Sequence, residues 1–381
     1  MINFTEPSIT KTEKNYVLDA LNNNFLSGDK KYTRLCTEWF NNLGYKNFLL
    51  TTSGTSALEL SAILSQIKPG DEFIVPSFTF SSTANAFMLR GAKPVFAEIN
   101  PNTMNIDVTK IEDLITPKTV AIVPIDYAGI PCDIDKINKI AKKHGLTVIE
   151  DSAQAIGSKY KDTPCGLKAD IACFSFHETK NITMGEGGGI YIKDDQLMEK
   201  AEIIREKGTN RKQFIHGQVD KYTWRMIGSS FLPSDILSAI LYAQLERFDE
   251  IINRRLDNWN QYYYNLKQLE DKHQIQLPRI PSYAKHNAHI FFILTNDQKT
   301  RDELMHFLKD NGINTTFHYL PLHSAPLGQK YGYKSTDLPI TENAAGRLLR
   351  LPLHHNLTNQ NIEKICNQIN TFFEAHQCQN I

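Results

Sequence analysis

The sequence predicts an α/β fold with a mostly parallel central sheet and a smaller C-terminal α+β domain. Two features carry that prediction. Between about residues 45 and 195, short apolar runs alternate with longer amphipathic ones, the pattern of βαβ units whose sheet is covered on both faces. After about residue 240 the alternation gives way to one long helical stretch and then a few strands and helices. A length of 381 residues fits two domains, placed at 1–240 and 241–381.

Taken in order, the predicted strands are 47–51, 72–76, 94–99, 119–124, 147–150, 171–176 and 189–192, each short, apolar and rich in β-branched or aromatic residues. Helical spacing marks 56–66, 82–89 and 133–144 between them. A helix over 236–269 reads as the connector between domains. A strand (289–294), a helix (301–311), a strand (315–319) and a final helix (361–375) complete the chain. In a sheet of this kind ligands sit at the carboxyl ends of the strands, so residues that follow strands are the ones to question.

Composition narrows the class. Lys plus Arg number 42 and Asp plus Glu 42, so no basic surplus points to nucleic acid. No apolar run approaches the ~20 residues of a membrane span, and the N-terminus carries no signal-peptide core. Six scattered cysteines, none in C-x-x-C spacing, argue against a zinc site or disulfide framework and for reduced thiols in the cytoplasm.

Three segments that follow strands could carry chemistry. Thr52-Ser53-Gly54-Thr55-Ser56 opens a helix, where free backbone N–H groups and hydroxyls suit either an ordinary cap or a bound phosphate. Glu150-Asp151-Ser152-Ala153-Gln154 ends a strand in two carboxylates. These are either solvated capping groups or a buried acid in need of a cationic partner such as a pyridinium nitrogen. Phe174-Ser175-Phe176-His177-Glu178-Thr179-Lys180 places a lysine in a partly apolar loop, either a surface residue or a nucleophile toward carbonyls. The glycines 185 and 187–189 precede a strand rather than a helix, which argues against a dinucleotide fingerprint. A phosphate cradle, a buried acid and a reactive lysine on one sheet are the contacts that pyridoxal phosphate demands.

With these residues in view, the chain resembles the sugar-nucleotide aminotransferases of the DegT/DnrJ/EryC family, with their type I (aspartate aminotransferase-like) fold. The matching motifs are Ser53-Gly54-Thr55-Ser56-Ala57-Leu58, Pro69-Gly70-Asp71-Glu72, Glu150 to Gln154, Phe174 to Asn181, Gly185-Glu186-Gly187-Gly188 and His318-Tyr319-Leu320-Pro321-Leu322-His323. Longer stretches (83–87, 89–93, 203–211 and 217–225) look like the branch that makes dTDP-4-amino-4,6-dideoxygalactose from dTDP-4-keto-6-deoxyglucose, a precursor of surface polysaccharide such as lipopolysaccharide O-antigen.

The resemblance implies a pyridoxal 5'-phosphate enzyme that takes its amino group from glutamate and works as a homodimer with shared active sites. Lys180 would bind the cofactor covalently and Asp151 would pair with its ring nitrogen. Gln154 would bond the phenolic oxygen, Phe80 would stack on the ring, and Gly54, Thr55 and Ser175 would hold the phosphate. Where the family often supplies a partner-subunit asparagine to that phosphate, Gly228-Ser229-Ser230-Phe231 stands here, leaving Ser230 to substitute. The family's frequent Val-His after the fourth strand is Ile125-Asp126. Lys221, Tyr222 and Trp224, reaching across from the partner chain, would be sugar-nucleotide contacts, and His318 would be either a further contact at the active-site mouth or a satisfied structural histidine.

The remaining conspicuous residues read as structure. Tyr262-Tyr263-Tyr264 packs along a helix, His354-His355 lacks ligands at metal spacing, and no metal is expected. The mixed cluster of Arg205, Lys207, Arg211 and Lys212 with Glu202 and Glu206 is a solvated helix end or a diphosphate contact. Alternative products are the gluco epimer and a 3-amino sugar. A sugar dehydratase on the same fold would carry histidine where Lys180 stands, and a binding protein without turnover would have no use for Lys180, Asp151 and Gln154 together.

Overall fold

The computed structural model describes residues 1–215 and 217–378. A seven-stranded sheet is built from β1 (Phe48–Thr51), β2 (Glu72–Pro76), β3 (Lys93–Ala97), β4 (Thr119–Ile122), β5 (Thr147–Asp151), β6 (Ile171–Ser175) and β7 (Gly188–Ile192). Their spatial order is β1-β7-β6-β5-β4-β2-β3. All pairings among β2 to β6 are parallel, and only β7 runs against its neighbours. The predicted strands are all present, with ends shifted by up to two residues.

Alternation of side chains sends successive residues to opposite faces, and both faces are covered. Phe73, Val75 and Ile149 pack with Ala57, Leu58 and Leu60 of the helix Gly54–Leu64, whereas Ile74, Ile122 and Val148 pack with Ile134, Ile137 and Ala141 of the helix Ile134–His144. The latter helix stops at Gly145, whose φ of 67° is the left-handed turn that glycine adopts without a Cβ penalty.

A second sheet lies C-terminal: β8 (Ile275–Gln276), β9 (Phe291–Thr295), β10 (Thr316–Phe317) and β11 (Leu348–Leu351), all antiparallel in the order β8-β9-β11-β10. One face packs on helices through Phe291, Ile293, Leu349, Tyr262, Leu304 and Ile365. The other joins Phe292, Leu294 and Leu348 to Phe78 and Tyr127 from the loops of the first sheet. The functional site lies where these loops meet that face.

Three expectations change. The stretch 236–269 is two helices, Asp235–Glu246 and Phe248–Asp271, because two surfaces claim its apolar positions. Leu241 and Leu245 pack under the first sheet, while Tyr262 and Leu266 pack on the second. The strand expected at 315–319 shrinks to two residues, and β11 was not anticipated. Two helices before β1, Lys11–Asn22 and Lys31–Asn42, were also unforeseen, although Thr10 and Glu13 form the capping box that announces the first. Among the described residues no helix is long and apolar enough to cross a membrane.

Candidate active site

A cavity of ≈370 Å³ opens at the carboxyl ends of β1, β5 and β6 and is closed on its other side by the second sheet. It brings Gly54, Thr55, Phe80, Asp151, Gln154 and Ser175 together with Lys180 and His318.

The chain leaves β1 and turns directly into the helix Gly54–Leu64. Ser53 caps it, its hydroxyl accepting from the Ser56 amide at 2.9 Å. The cap satisfies one amide, so those of Gly54 and Thr55 remain at a helix start whose first turn carries no acidic residue. The two readings of this motif are therefore compatible. Backbones crowd here: a Cβ on Gly54 would come within 2.9 Å of Ser175 Cβ, and one on Gly188 within 2.4 Å of the Ser53 carbonyl carbon. Only glycines allow this cup to form.

Asp151 ends β5 and is 5% exposed. Its Oδ2 accepts from Thr83 Oγ1 at 2.7 Å and its Oδ1 from the Ala153 amide at 3.1 Å. Burial raises its pKa, while these two donors and the nearby Lys180 amine oppose the rise. Gln154 is fixed at both ends: Oε1 accepts from the Ala128 amide at 2.8 Å and Nε2 donates to Tyr319 Oη at 3.0 Å. Asp126 does not line the cavity. It lies behind Asp151 with Glu150 and Cys165, where their potential ligand atoms fall within 4.8 Å of one another.

Lys180 belongs to the loop joining β6 to β7. The loop folds on itself through Phe176 N–H to Gly187 O (2.8 Å), Met184 N–H to Phe176 O (2.9 Å) and Lys180 N–H to His177 O (2.9 Å). Burial pulls the Lys180 amine down, Asp151 pushes it up and Arg350 pulls it down, leaving it at about 8. An amine in that range is a nucleophile and a proton carrier near neutral pH.

The opposite wall comes from the second sheet. His318 faces Tyr127 Oη through Nδ1 and Arg350 Nη1 through Nε2, both at 3.2 Å. Tyr319 lies between Phe78 and Phe80 at ring separations of 5.6 and 6.4 Å. Phe80 itself is 59% exposed at the mouth. Sequence reasoning missed Arg350, Arg255, His289 and Thr83 as cavity residues. For Arg350 a signal existed, a lone cation within Leu348-Leu349-Arg350-Leu351.

The four residues expected to reach the site from a partner chain do not line this chain's own cavity. Ser230 is exposed in an isolated bridge to Glu206. Lys221, Tyr222 and Trp224 are exposed on the same loop region, Trp224 at 78%. Within the basic cluster, Arg205 is buried and bonds Asp29 through Nη2 at 2.8 Å, so it is structural, while Lys212 pairs with Glu202.

The chain is similar in sequence and structure to known aminotransferases. The DegT/DnrJ/EryC1/StrS aminotransferase family matches over residues 7–370. The spore coat polysaccharide biosynthesis protein SpsC of Bacillus subtilis is 33% identical over 95% of this chain and 94% of its own. Helicobacter pylori PseC, an aminotransferase involved in the biosynthesis of pseudaminic acid, superposes with a TM-score of 0.91 at 30% identity, covering 98% of this chain and 99% of that one. NtdA of Bacillus subtilis, solved with bound cofactor PMP, superposes with a TM-score of 0.87 at 28% identity, covering 96% of this chain and 83% of that one.

Proposed function

Since the chain belongs to the DegT/DnrJ/EryC1/StrS aminotransferase family and is a pyridoxal phosphate-dependent sugar aminotransferase, we propose that it moves the amino group of glutamate to C4 of dTDP-4-keto-6-deoxyglucose, giving dTDP-4-amino-4,6-dideoxygalactose for surface polysaccharide. The observation that carries the chemistry is Lys180, depressed to about 8, in one cavity with the buried Asp151.

The residues fit the cofactor. The amides and hydroxyls of Gly54, Thr55 and Ser175 offer an anion cup with no competing carboxylate in the helix's first turn. Asp151, raised by burial, is relieved by a cationic ring nitrogen placed against it. Gln154 and Phe80 line the same cavity, where Gln154 would bond the phenolic oxygen and Phe80 would cover the ring face. When bound, the cofactor supplies an electron sink for the carbanion at the reacting carbon. Lys180 Nζ would take the proton from the donor's Cα and deliver it to the cofactor's C4′ in one half-reaction, and in the other would take it from C4′ and deliver it to sugar C4.

The sugar nucleotide reaches the mouth of the cavity beside Phe80 and His318. In a homodimer the exposed loop would complete the neighbouring cavity, with the partner subunit's Ser230 at the phosphate and the partner subunit's Lys221, Tyr222 and Trp224 against the nucleotide sugar. The 54% and 78% exposure of Tyr222 and Trp224 supports this, since large rings left in solvent suit a covered surface. The galacto outcome rests on the branch resemblance over 203–211 and 217–225.

The test is incubation with glutamate and dTDP-4-keto-6-deoxyglucose, followed by the ring coupling constants of the product. A small coupling between the protons on carbons 3 and 4 is expected. A large one means the gluco epimer, and amination at carbon 3 would replace the assignment altogether.

A further inference from the structure

We propose that His289 is a positioning residue for Lys180: its unprotonated Nε2 accepts a hydrogen bond from the Lys180 ammonium while that amine holds the proton in transit. The part this plays in turnover rests on the aminotransferase reading above. His289 stands just before β9, is buried, and lines the cavity together with Lys180.

The tautomer of His289 is fixed by a chain of amides that begins one residue after Lys180. Asn181 Nδ2 donates to the Asn287 carbonyl at 2.8 Å, so its Oδ1 is the end turned to the imidazole, 3.0 Å from His289 Nδ1. An amide oxygen only accepts, so Nδ1 carries the ring proton and Nε2 keeps its lone pair. Asn287 is itself anchored below the first sheet's loops, donating through Nδ2 to the carbonyls of Gln154 (2.9 Å) and Ile156 (2.8 Å) while its Oδ1 accepts from the His289 amide at 3.0 Å. Arg255 grips the same stretch through the carbonyls of Ala288 (3.1 Å) and His289 (2.8 Å). The ring is held on both sides, and Nε2, without a protein partner among the described residues, is left for the cavity that His289 lines.

The charges around the ring keep that lone pair available. Burial first, then Lys180, Arg255, Arg350 and His318, hold His289 well below the usual histidine range, so it stays neutral. Around Lys180, burial and Arg350 disfavour the ammonium and Asp151 favours it. Yet Asp151 already accepts from Thr83 and Ala153, and Gln154 Oε1 from Ala128. An ammonium that burial penalises gains from any acceptor that remains, and His289 Nε2 is one that no other protein group uses.

The test compares wild type with His289→Phe and His289→Gln. Both variants lose the Nδ1 bond to Asn181, so that cost is common to them; only Gln puts an acceptor oxygen near the Nε2 position. The pH midpoint of the Lys180 amine is read in the cofactor-free full chain, from the rate of its labelling by an amine-reactive reagent and peptide mass spectrometry. In His289→Phe the midpoint should fall by about one pH unit, and in His289→Gln it should stay near that of wild type. In the loaded enzyme His289→Phe should lower kcat roughly tenfold with the KM of each substrate held, and Gln should restore most of it. Melting temperatures report folding, and His289→Asn, which also lacks an atom at Nε2, replaces Phe if that variant is unstable. An unmoved midpoint in the variant without the acceptor overturns the proposal, as does an equal shift in His289→Gln or a loss confined to the KM of the sugar nucleotide. A wild type that does not transaminate glutamate, with the midpoint still shifted in Phe and not in Gln, overturns the proposed reaction and supports the contact.

Discussion

Asp126 and Glu150 lie side by side beneath the active site, 0% and 2% exposed, and neither is paired with a lysine, arginine or histidine among the described residues. Asp126 is the better served of the two, accepting from the Cys132 amide at 2.9 Å and from Ser152 Oγ at 2.8 Å. Glu150 accepts from the Gly166 amide at 3.1 Å and from the more distant Ser152 hydroxyl, and a side-chain hydrogen bond joins it to Asp126. Two buried carboxyls at this distance cannot both ionise, so Glu150 holds a proton and Asp126 carries the charge.

Burial, and then the charge of Asp126, drive the Glu150 pKa well above 4.5. The folded state therefore binds one more proton than the unfolded chain above 4.5, and stability falls as pH rises from that value toward the folded pKa. Glu150→Gln keeps the shape and removes the titration. Its melting temperature relative to wild type should climb between pH 4.5 and 8, by a few degrees. A difference that stays flat across this range would show that Glu150 is ionised in the fold.

Lysine 180 gives the opposite pH slope. Its folded pKa of about 8 lies below the ordinary 10.5, so below pH 8 the cofactor-free fold carries the whole cost of a buried ammonium. That cost is recovered as pH rises from 8 to 10.5. Lys180→Met should therefore stabilise the cofactor-free protein near pH 7 by up to about 3 kcal/mol. The gain should vanish by pH 10.5 while transamination is lost throughout. Equal denaturant midpoints for the two proteins at pH 7 would count against a buried amine.

Much of this was legible in the sequence because each segment obeyed a local rule. Continuous apolar runs such as Phe73 to Val75 mark strands buried on both faces, and their carboxyl ends direct attention to Gly54, Asp151 and Lys180. Arg350 was legible only as a lone cation in an apolar strand. Its surroundings in space, Phe4 from the N-terminus and His318 from the neighbouring strand region, have no counterpart in the pattern along the chain. The break at Arg247 was hidden for the same reason, since helical spacing runs through it and only the two packing surfaces separate the halves.

Thr83 orients Asp151, and its own hydroxyl meets Thr79 Oγ1 at 2.9 Å, so the carboxylate is held by a two-link chain. Thr83→Val removes the 2.7 Å bond while keeping the volume. Hydrogen bonds to a charged group contribute about 1.5–3 kcal/mol. The dissociation constant for pyridoxal phosphate, measured by fluorescence titration, should rise roughly tenfold or more by that measure. Unaltered affinity would remove Thr83 from the cofactor's support.

Gly188→Ala tests the cup. Its Cβ would meet the Ser53 carbonyl carbon at 2.4 Å, a backbone atom that cannot swing aside. The variant should lose cofactor retention on gel filtration, with a melting temperature lowered by several degrees. Gly145→Ala, whose Cβ meets nothing within 4 Å, should cost only the left-handed conformation, about 1 kcal/mol, and leave cofactor binding intact.

The central claim is that Lys180 is the amine that holds the cofactor. The direct measurement is borohydride reduction of the pyridoxal phosphate-loaded enzyme, followed by peptide mapping by mass spectrometry. The account predicts one modified site, Lys180, with the near-visible absorbance band lost on reduction and absent from Lys180→Met. Modification at another lysine, or a band that survives reduction, would contradict it.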